Sequence, residues 1–128
     1  DSIDFDFSEL KINKIEVSNS GNDCLDLSSG EYKINSLNVN NCSDKGISVG
    51  EASISNFSSI DISNVKVGVA SKDSSLIKID EGIVNGYLTC LAIYRKKQEF
   101  MGAIVEVSNE ICPNKDILVQ KNSSYILK

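Results

Sequence analysis

Acidic and basic side chains recur at one fixed interval along this chain. Asp1, Asp23 and Lys45 follow a 22-residue spacing, as do Asp4 and Asp26. Ser29, Glu51, Asp73 and Arg95 form another series at the same interval, with Lys72 and Lys96 beside it. Carboxylates brought together in pairs can act as acid and base on a glycosidic bond. Mixed with lysine and arginine, they can hold a saccharide or an anion. Four of them, Asp1, Asp4, Asp23 and Asp26, could also ligate calcium. No other cofactor or metal signal is present: there is no His, and no cysteine sits in a Cys-x-x-Cys pair. Each series also has a plainer reading. The Glu51 series would be a ladder of exposed ion pairs holding neighbouring repeats in register, worth little per pair. The Asp1 series would be a solvated acidic edge that discourages wrong strand pairing.

Such an interval makes neighbours of these groups only if each repeat is one structural unit stacked on the next. The apolar residues say that it is. Ile3, Leu25, Ile47, Val69 and Leu91 form one column, and Phe5, Leu27, Val49, Ser71 and Ile93 a second. Each repeat carries three short runs of alternating apolar residues, the signal of strands with one face buried. The second run begins at Leu10 and Ile12 and returns at Tyr32 and Ile34. The third passes through Ile15 and Val17, Leu37 and Val39, Ile60 and Ile62, then Ile83, and is extended to Val105 and Val107. An asparagine follows each third run: Asn19, Asn41, Asn64, Asn85 and Asn109. Such a column can form an amide ladder, and Asn tolerates the left-handed backbone of a tight turn.

These features predict an all-β fold, a right-handed parallel β-helix of five to six coils with three strands per coil and an asparagine ladder. The whole chain, 1–128, reads as a single such domain and as a piece of a longer protein. Flanking coils, a further domain or a subunit are expected over its open ends. Glu110–Lys115 reads as an insertion, with strands resuming at Ile117 and at Tyr125. The four cysteines, Cys24, Cys42, Cys90 and Cys112, are read as buried small hydrophobes, with a Cys90–Cys112 disulfide as the alternative. A net charge of −5 with no continuous basic stripe argues against a nucleic-acid partner. Arg95-Lys96-Lys97 is a solvated turn or an anion site. No apolar run is long enough to span a membrane.

Three segments, taken in order, resemble polygalacturonases. Gly21-Asn22-Asp23-Cys24 is similar to their Gly-Asp-Asp-Cys segment, and Asp44-Lys45-Gly46-Ile47-Ser48-Val49-Gly50 to their Gly-His-Gly segment. Asp1-Ser2-Ile3-Asp4 is similar to the family's segment one coil earlier. The resemblance implies the pectate-lyase-like β-helix fold and a site on these strands. Two departures imply that hydrolysis in the family's manner is lost: Asn22 replaces a catalytic aspartate, and Lys45 stands where the histidine would be. An ordinary lysine cannot share a proton near neutral pH. Asp44–Glu51, Gly68–Ser75 and Tyr94–Ala103 resemble segments of bacterial parallel β-helix repeat proteins. That likeness implies a secreted or cell-envelope protein associated with polysaccharide, and a ligand role for Lys45, Glu51, Lys72, Asp73, Arg95 and Lys97.

The functional expectation is a β-helix module that binds polysaccharide or a cell-envelope glycan, or mediates surface interaction. The alternatives are a glycoside hydrolase, lyase or epimerase using Asp23 with Asp1, or Glu51 with Asp73, and a structural spacer.

Overall fold

A computed structural model describes residues 1–128. It contains ten strands and no helix: β1 (Ile3–Asp6), β2 (Glu9–Ser20), β3 (Leu25–Ser28), β4 (Glu31–Gly50), β5 (Ile54–Lys72), β6 (Leu76–Asn85), β7 (Thr89–Tyr94), β8 (Ile104–Val107), β9 (Ile117–Val119) and β10 (Ser124–Leu127). All pairing is parallel. Ile3 pairs with Leu25, Leu25 with Ile47, Ile47 with Val69, Val69 with Leu91 and Leu91 with Ile117. The chain is therefore a parallel β-solenoid of about six turns, as the period predicts. No helix is long and apolar enough to cross a membrane.

Three faces result. The first sheet holds β1, β3, the ends of β4 and β5, β7 and β9. The second holds the starts of β2, β4, β5 and β6, then β8 and β10. The third is built from the later parts of β2, β4, β5 and β6. Alternation sends one residue in two inward. Leu25, Leu27, Ile47, Val49, Val69, Leu91 and Ile93 are fully buried. Ser71 interrupts this apolar column, and its hydroxyl donates to the Ile104 carbonyl at 3.3 Å and the Ser75 carbonyl at 3.4 Å.

Three details differ from the sequence-based expectations. First, Val105 and Val107 belong to the second sheet, opposite Ile77 and Ile79. The extra residues lie earlier than Glu110–Lys115. Tyr94 pairs with Lys72 but Ile104 with Leu76, so a connection of 4 positions (76 − 72) becomes one of 10 (104 − 94). Glu110–Lys115 instead closes the third side, with Ile111 and Cys112 buried and the Val84 amide donating to the Ile111 carbonyl.

Second, the asparagine ladder is shorter than its sequence pattern. Asn19, Asn41 and Asn64 have φ of 59°, 59° and 55°, and the next coil places Gly86, φ 61°, at that corner. The Asn41 amide donates to Asn19 Oδ1 at 2.8 Å, whereas Asn64 donates to Asn40 Oδ1. Asn85 pairs with Ser63 one position before the corner, and Asn109 donates to the Asp80 carbonyl. A residue that turns left-handed can be Asn or Gly, and in the fourth coil Gly takes the position.

Third, all four cysteines are buried, but as disulfides. The Cα separation is 5.6 Å in Cys24–Cys42. It is 5.9 Å in Cys90–Cys112. Both fall within the range a bridge requires. Cys42 reaches Cys24 from the end of the third side, a contact the 22-residue columns do not contain.

The outward row Ser48, Ala70 and Ala92 is closed to solvent. Ser48 and Ala70 are fully buried and Ala92 is 9% exposed.

Candidate functional site

The outward side of the first sheet and its entry corner gather four of the chain's shifted groups, Asp26, Lys45, Lys72 and Tyr94. Asp4 and Asp26 are register partners on β1 and β3, and Asp26 adjoins Ser48 on β4. Asp23 and Lys45 lie at the corner where the chain enters this sheet. A register shift between Cys42 and Lys45 re-aims the strand there. The Lys45 backbone amide donates to Asp23 Oδ1 at 3.0 Å. Its ammonium lies 3.0 Å from Asp44 Oδ2 and 4.0 Å from Asp23 Oδ1. Burial alone would lower the Lys45 pKa, but Asp44 and Asp23 outweigh it and hold the ammonium above its ordinary value. Lys45 is therefore a firmly charged group.

Lys72 behaves in the opposite sense. Its methylenes run along Gly50, where an added Cβ would stand 3.0 Å from Lys72 Cε. Burial lowers its pKa, with Asp26 pulling the other way. Burial raises the Asp26 carboxyl, opposed first by Lys72 and reinforced by Asp4 and Asp23. Tyr94 is raised by burial, and its hydroxyl feels Lys45, Asp73, Asp44 and Asp23. Lys45 and Asp44 lie two coils from Tyr94, yet their charges act on its hydroxyl. Asp23, Asp26, Lys45, Lys72 and Tyr94 thus share one partly desolvated, mixed-charge surface.

Asp1, Asp4 and Asp26 place one carboxylate oxygen each within 4.8 Å of the others. These are the residues able to hold a divalent cation such as calcium. Asp23, grouped with them by spacing, is turned toward Lys45 instead.

The patch at the next corner is bound up with itself. Ser29, Glu51 and Asp73 have φ of 48°, 53° and 55°, and Ala52 and Ser74 follow at 59° and 63°. Five non-glycine residues in the left-handed region form a strained corner, held by the coils around it. Glu51 accepts from the Ser29 hydroxyl at 3.2 Å and is bonded to Lys97, whose ammonium holds the Glu51 carboxyl below its ordinary value. Glu51 in turn raises Lys97. Asp73 is buried, and its Oδ1 accepts the backbone amides of Lys96 at 2.7 Å and Lys97 at 2.8 Å. It anchors the inserted 95–103 loop. Ser74 adds a second tie, accepting from the Met101 amide at 2.7 Å. The Arg95 amide donates to Gln120 Oε1 at 2.7 Å while its side chain is exposed.

Glu51 and Asp73 are therefore neighbours, as the spacing suggests, with Lys97 beside them, and both carboxylates are occupied by Ser29, Lys97 or the loop backbone. Lys45 and Lys72 face the other cluster. Asp26, Asp44 and Tyr94 complete that cluster. Asp26 and Tyr94 stand in the 22-residue rows, whereas Asp44 enters through its ion pair with Lys45.

Comparison of the chain with protein-family models, with curated proteins and with solved structures gives no match. What stands established is the architecture, the parallel β-solenoid.

Proposed function

We propose that the outer face of the first sheet binds a polysaccharide or cell-envelope glycan, and that the chain is a β-helix binding module without a polygalacturonase catalytic set. The observation that carries this reading is the half-desolvated cluster of Asp23, Asp26, Lys45, Lys72 and Tyr94. Polar groups held in place beside an aromatic ring suit a saccharide, whose hydroxyls take several hydrogen bonds while a sugar face lies on the ring. Lys45 stays cationic and lies where a carboxylated or sulfated sugar would need a counter-charge. The likeness of Asp1–Gly50 to polygalacturonase segments supports a pectate-lyase-like relationship and a saccharide ligand. The two disulfides, with no free cysteine, support export to an oxidising compartment, secreted or at the cell envelope.

The test is a glycan array followed by titration of the best ligand. Lys72→Ala, Tyr94→Ala and Asp26→Asn should each weaken binding at least tenfold without lowering the unfolding midpoint enough to empty the native state. No binding by the intact chain, or binding that survives all three changes, would leave a structural spacer as the better reading.

One observation favours an enzyme as the second reading. Asp26 is raised and Lys72 lowered on the same face, and opposed shifts are how acid and base chemistry is arranged near neutral pH. A hydrolase, lyase or epimerase working there would turn over the bound polysaccharide, and Asp26→Asn or Asp23→Asn would abolish turnover. Glu51 and Asp73 fit this role less well, since internal donors already occupy them.

A further inference from the structure

Most charged groups at the entry and exit corners of the first sheet are engaged within the molecule. Lys45 is paired with Asp44 and Asp23, and Glu51 with Lys97 and Ser29. Asp73 holds two loop amides. Asp26 and Lys72, on the face between those corners, are different. Neither belongs to an ion pair within 4.0 Å or makes a side-chain hydrogen bond. Both are nevertheless half-buried. A charge taken partly out of water with no partner opposes folding.

Like charges gather around each of them. Lys45 and Lys96 repel the Lys72 ammonium, while Asp4 and Asp23 repel the Asp26 carboxylate. The face thus carries a positive pole at Lys72 and a negative pole at Asp26. In coil order Ser48 stands between them, as the register partner of Asp26 on the next strand. Ser48 is fully buried, and its hydroxyl has no hydrogen-bond partner in the protein. A buried hydroxyl left without a partner is uncommon and costly.

Gly50 brings the positive pole this far. Lys72 sits on the coil after Gly50, and its methylenes lie back across it. A Cβ added at Gly50 would stand 3.0 Å from Lys72 Cε and 3.3 Å from Cγ. A side chain at this position therefore pushes the lysine away. On the far side of Lys72, its register partner Tyr94 offers a half-buried ring.

We propose that this face selects a zwitterionic glycan, with a free ammonium seated at Asp26 and an acidic group at Lys72, and that Gly50 is the positioning residue that lets Lys72 reach it. It rests on the glycan reading and adds a charge requirement to it. A ligand with both charges gives each unpaired side chain its counter-charge, whereas a ligand with one charge leaves the other pole unmet. The coil spacing sets the two ligand charges one to two coils apart, roughly 5–10 Å. Substituents on adjoining sugar rings span that separation.

Calorimetric titration with four hexasaccharides tests this: hyaluronan, which is acidic; N-deacetylated hyaluronan, which is acidic and carries free amines; chitosan, which carries amines alone; and chitin, which is neutral. The wild-type chain should bind N-deacetylated hyaluronan at least tenfold more tightly than the other three. Lys72→Gln should lower that affinity to the chitosan level, and Asp26→Asn to the hyaluronan level. Gly50→Val, or Gly50→Ala where valine disturbs the fold, should erode the preference with Lys72 still present. Circular dichroism and thermal melting select the variants that keep the fold. Hyaluronan or chitosan bound as tightly as the zwitterionic chain would overturn the charge requirement and leave the glycan reading standing. So would a failure of N-deacetylated hyaluronan to bind while a glycan array finds another ligand; an empty array would remove both. Urea unfolding of the two single variants and the double variant, without ligand, is the second check. Their effects on the unfolding constant should multiply. A coupling above tenfold would mean that Asp26 and Lys72 serve each other, which would also overturn the proposal.

Discussion

Asp73 stands by its spacing among the groups available for chemistry, and its surroundings give it a structural task. Its buried carboxylate holds two loop amides, so Asp73→Ala removes both acceptors at once. The expected cost is about 2 kcal/mol, read from urea unfolding, together with faster tryptic cleavage at Arg95–Lys97 as the loop comes free. Asp26 and Lys72 should behave differently. An aspartate raised above its ordinary value binds its proton more tightly in the folded state, so the native state loses stability as pH rises through the folded pKa. A lysine held below its ordinary value gives up its proton more readily when folded, so the native state loses stability as pH falls through that pKa. At neutral pH both burials oppose folding. Asp26→Asn and Lys72→Met should therefore keep or raise the neutral-pH unfolding midpoint while weakening the proposed glycan binding. Asp26→Asn should also flatten the decline in stability that sets in as pH rises above the ordinary carboxylate value, about 4. A clear loss of stability at neutral pH in both variants would count against the desolvation account. Sequence spacing is enough to put Asp4, Asp26, Lys45 and Lys72 on one face. It does not show which carboxylates are free, because that depends on the amides of the inserted loop.

At the scale of the strand and its corner, the left-handed column Asn19, Asn41, Asn64 and Gly86 marks where each third-side strand turns. Asn41→Ala loses the amide bond to Asn19. It also removes the short polar side chain that lets asparagine tolerate the left-handed region, and together these amount to about 1–2 kcal/mol. Asn41→Gly keeps the backbone cheap and should cost less than the alanine, the reverse of the usual order inside a strand. Paired urea titrations of the two variants check this ranking. Gly86 offers no such tolerance, since an added Cβ would meet Asn64 Oδ1 at 2.9 Å. The asparagine pattern is readable in sequence through three coils and misleading in the fourth. There the turn passes to glycine, and Asn85 falls one position short. Alternation places the strand at Ile104–Val107 on the wrong face for a related reason: a lengthened connection shifts everything after it, and alternation alone does not name the sheet.

For the whole molecule, the architecture follows from the apolar columns because every coil must bury its inward face against the next. The disulfides do not follow, since Cys24 and Cys42 are 18 residues apart and meet across a corner rather than along a column. The two bridges close loops of similar length, with sequence separations of 18 and 22. Each should add about 3 kcal/mol by restricting the unfolded chain. Urea unfolding with and without reductant should show that loss, and Cys90→Ser with Cys112→Ser should reproduce one bridge's share. The lengthened corner between Tyr94 and Ile104 has a different meaning at this scale. The register on both sides of it is intact, Tyr94 on Lys72 and Ile104 on Leu76, so extra residues there leave the stacking undisturbed. The solenoid thus has a place where sequence can diversify without renegotiating its scaffold. A foreign peptide spliced between Lys97 and Phe100 would be displayed on the flank of the rod, presented by the same coils that carry the native loop.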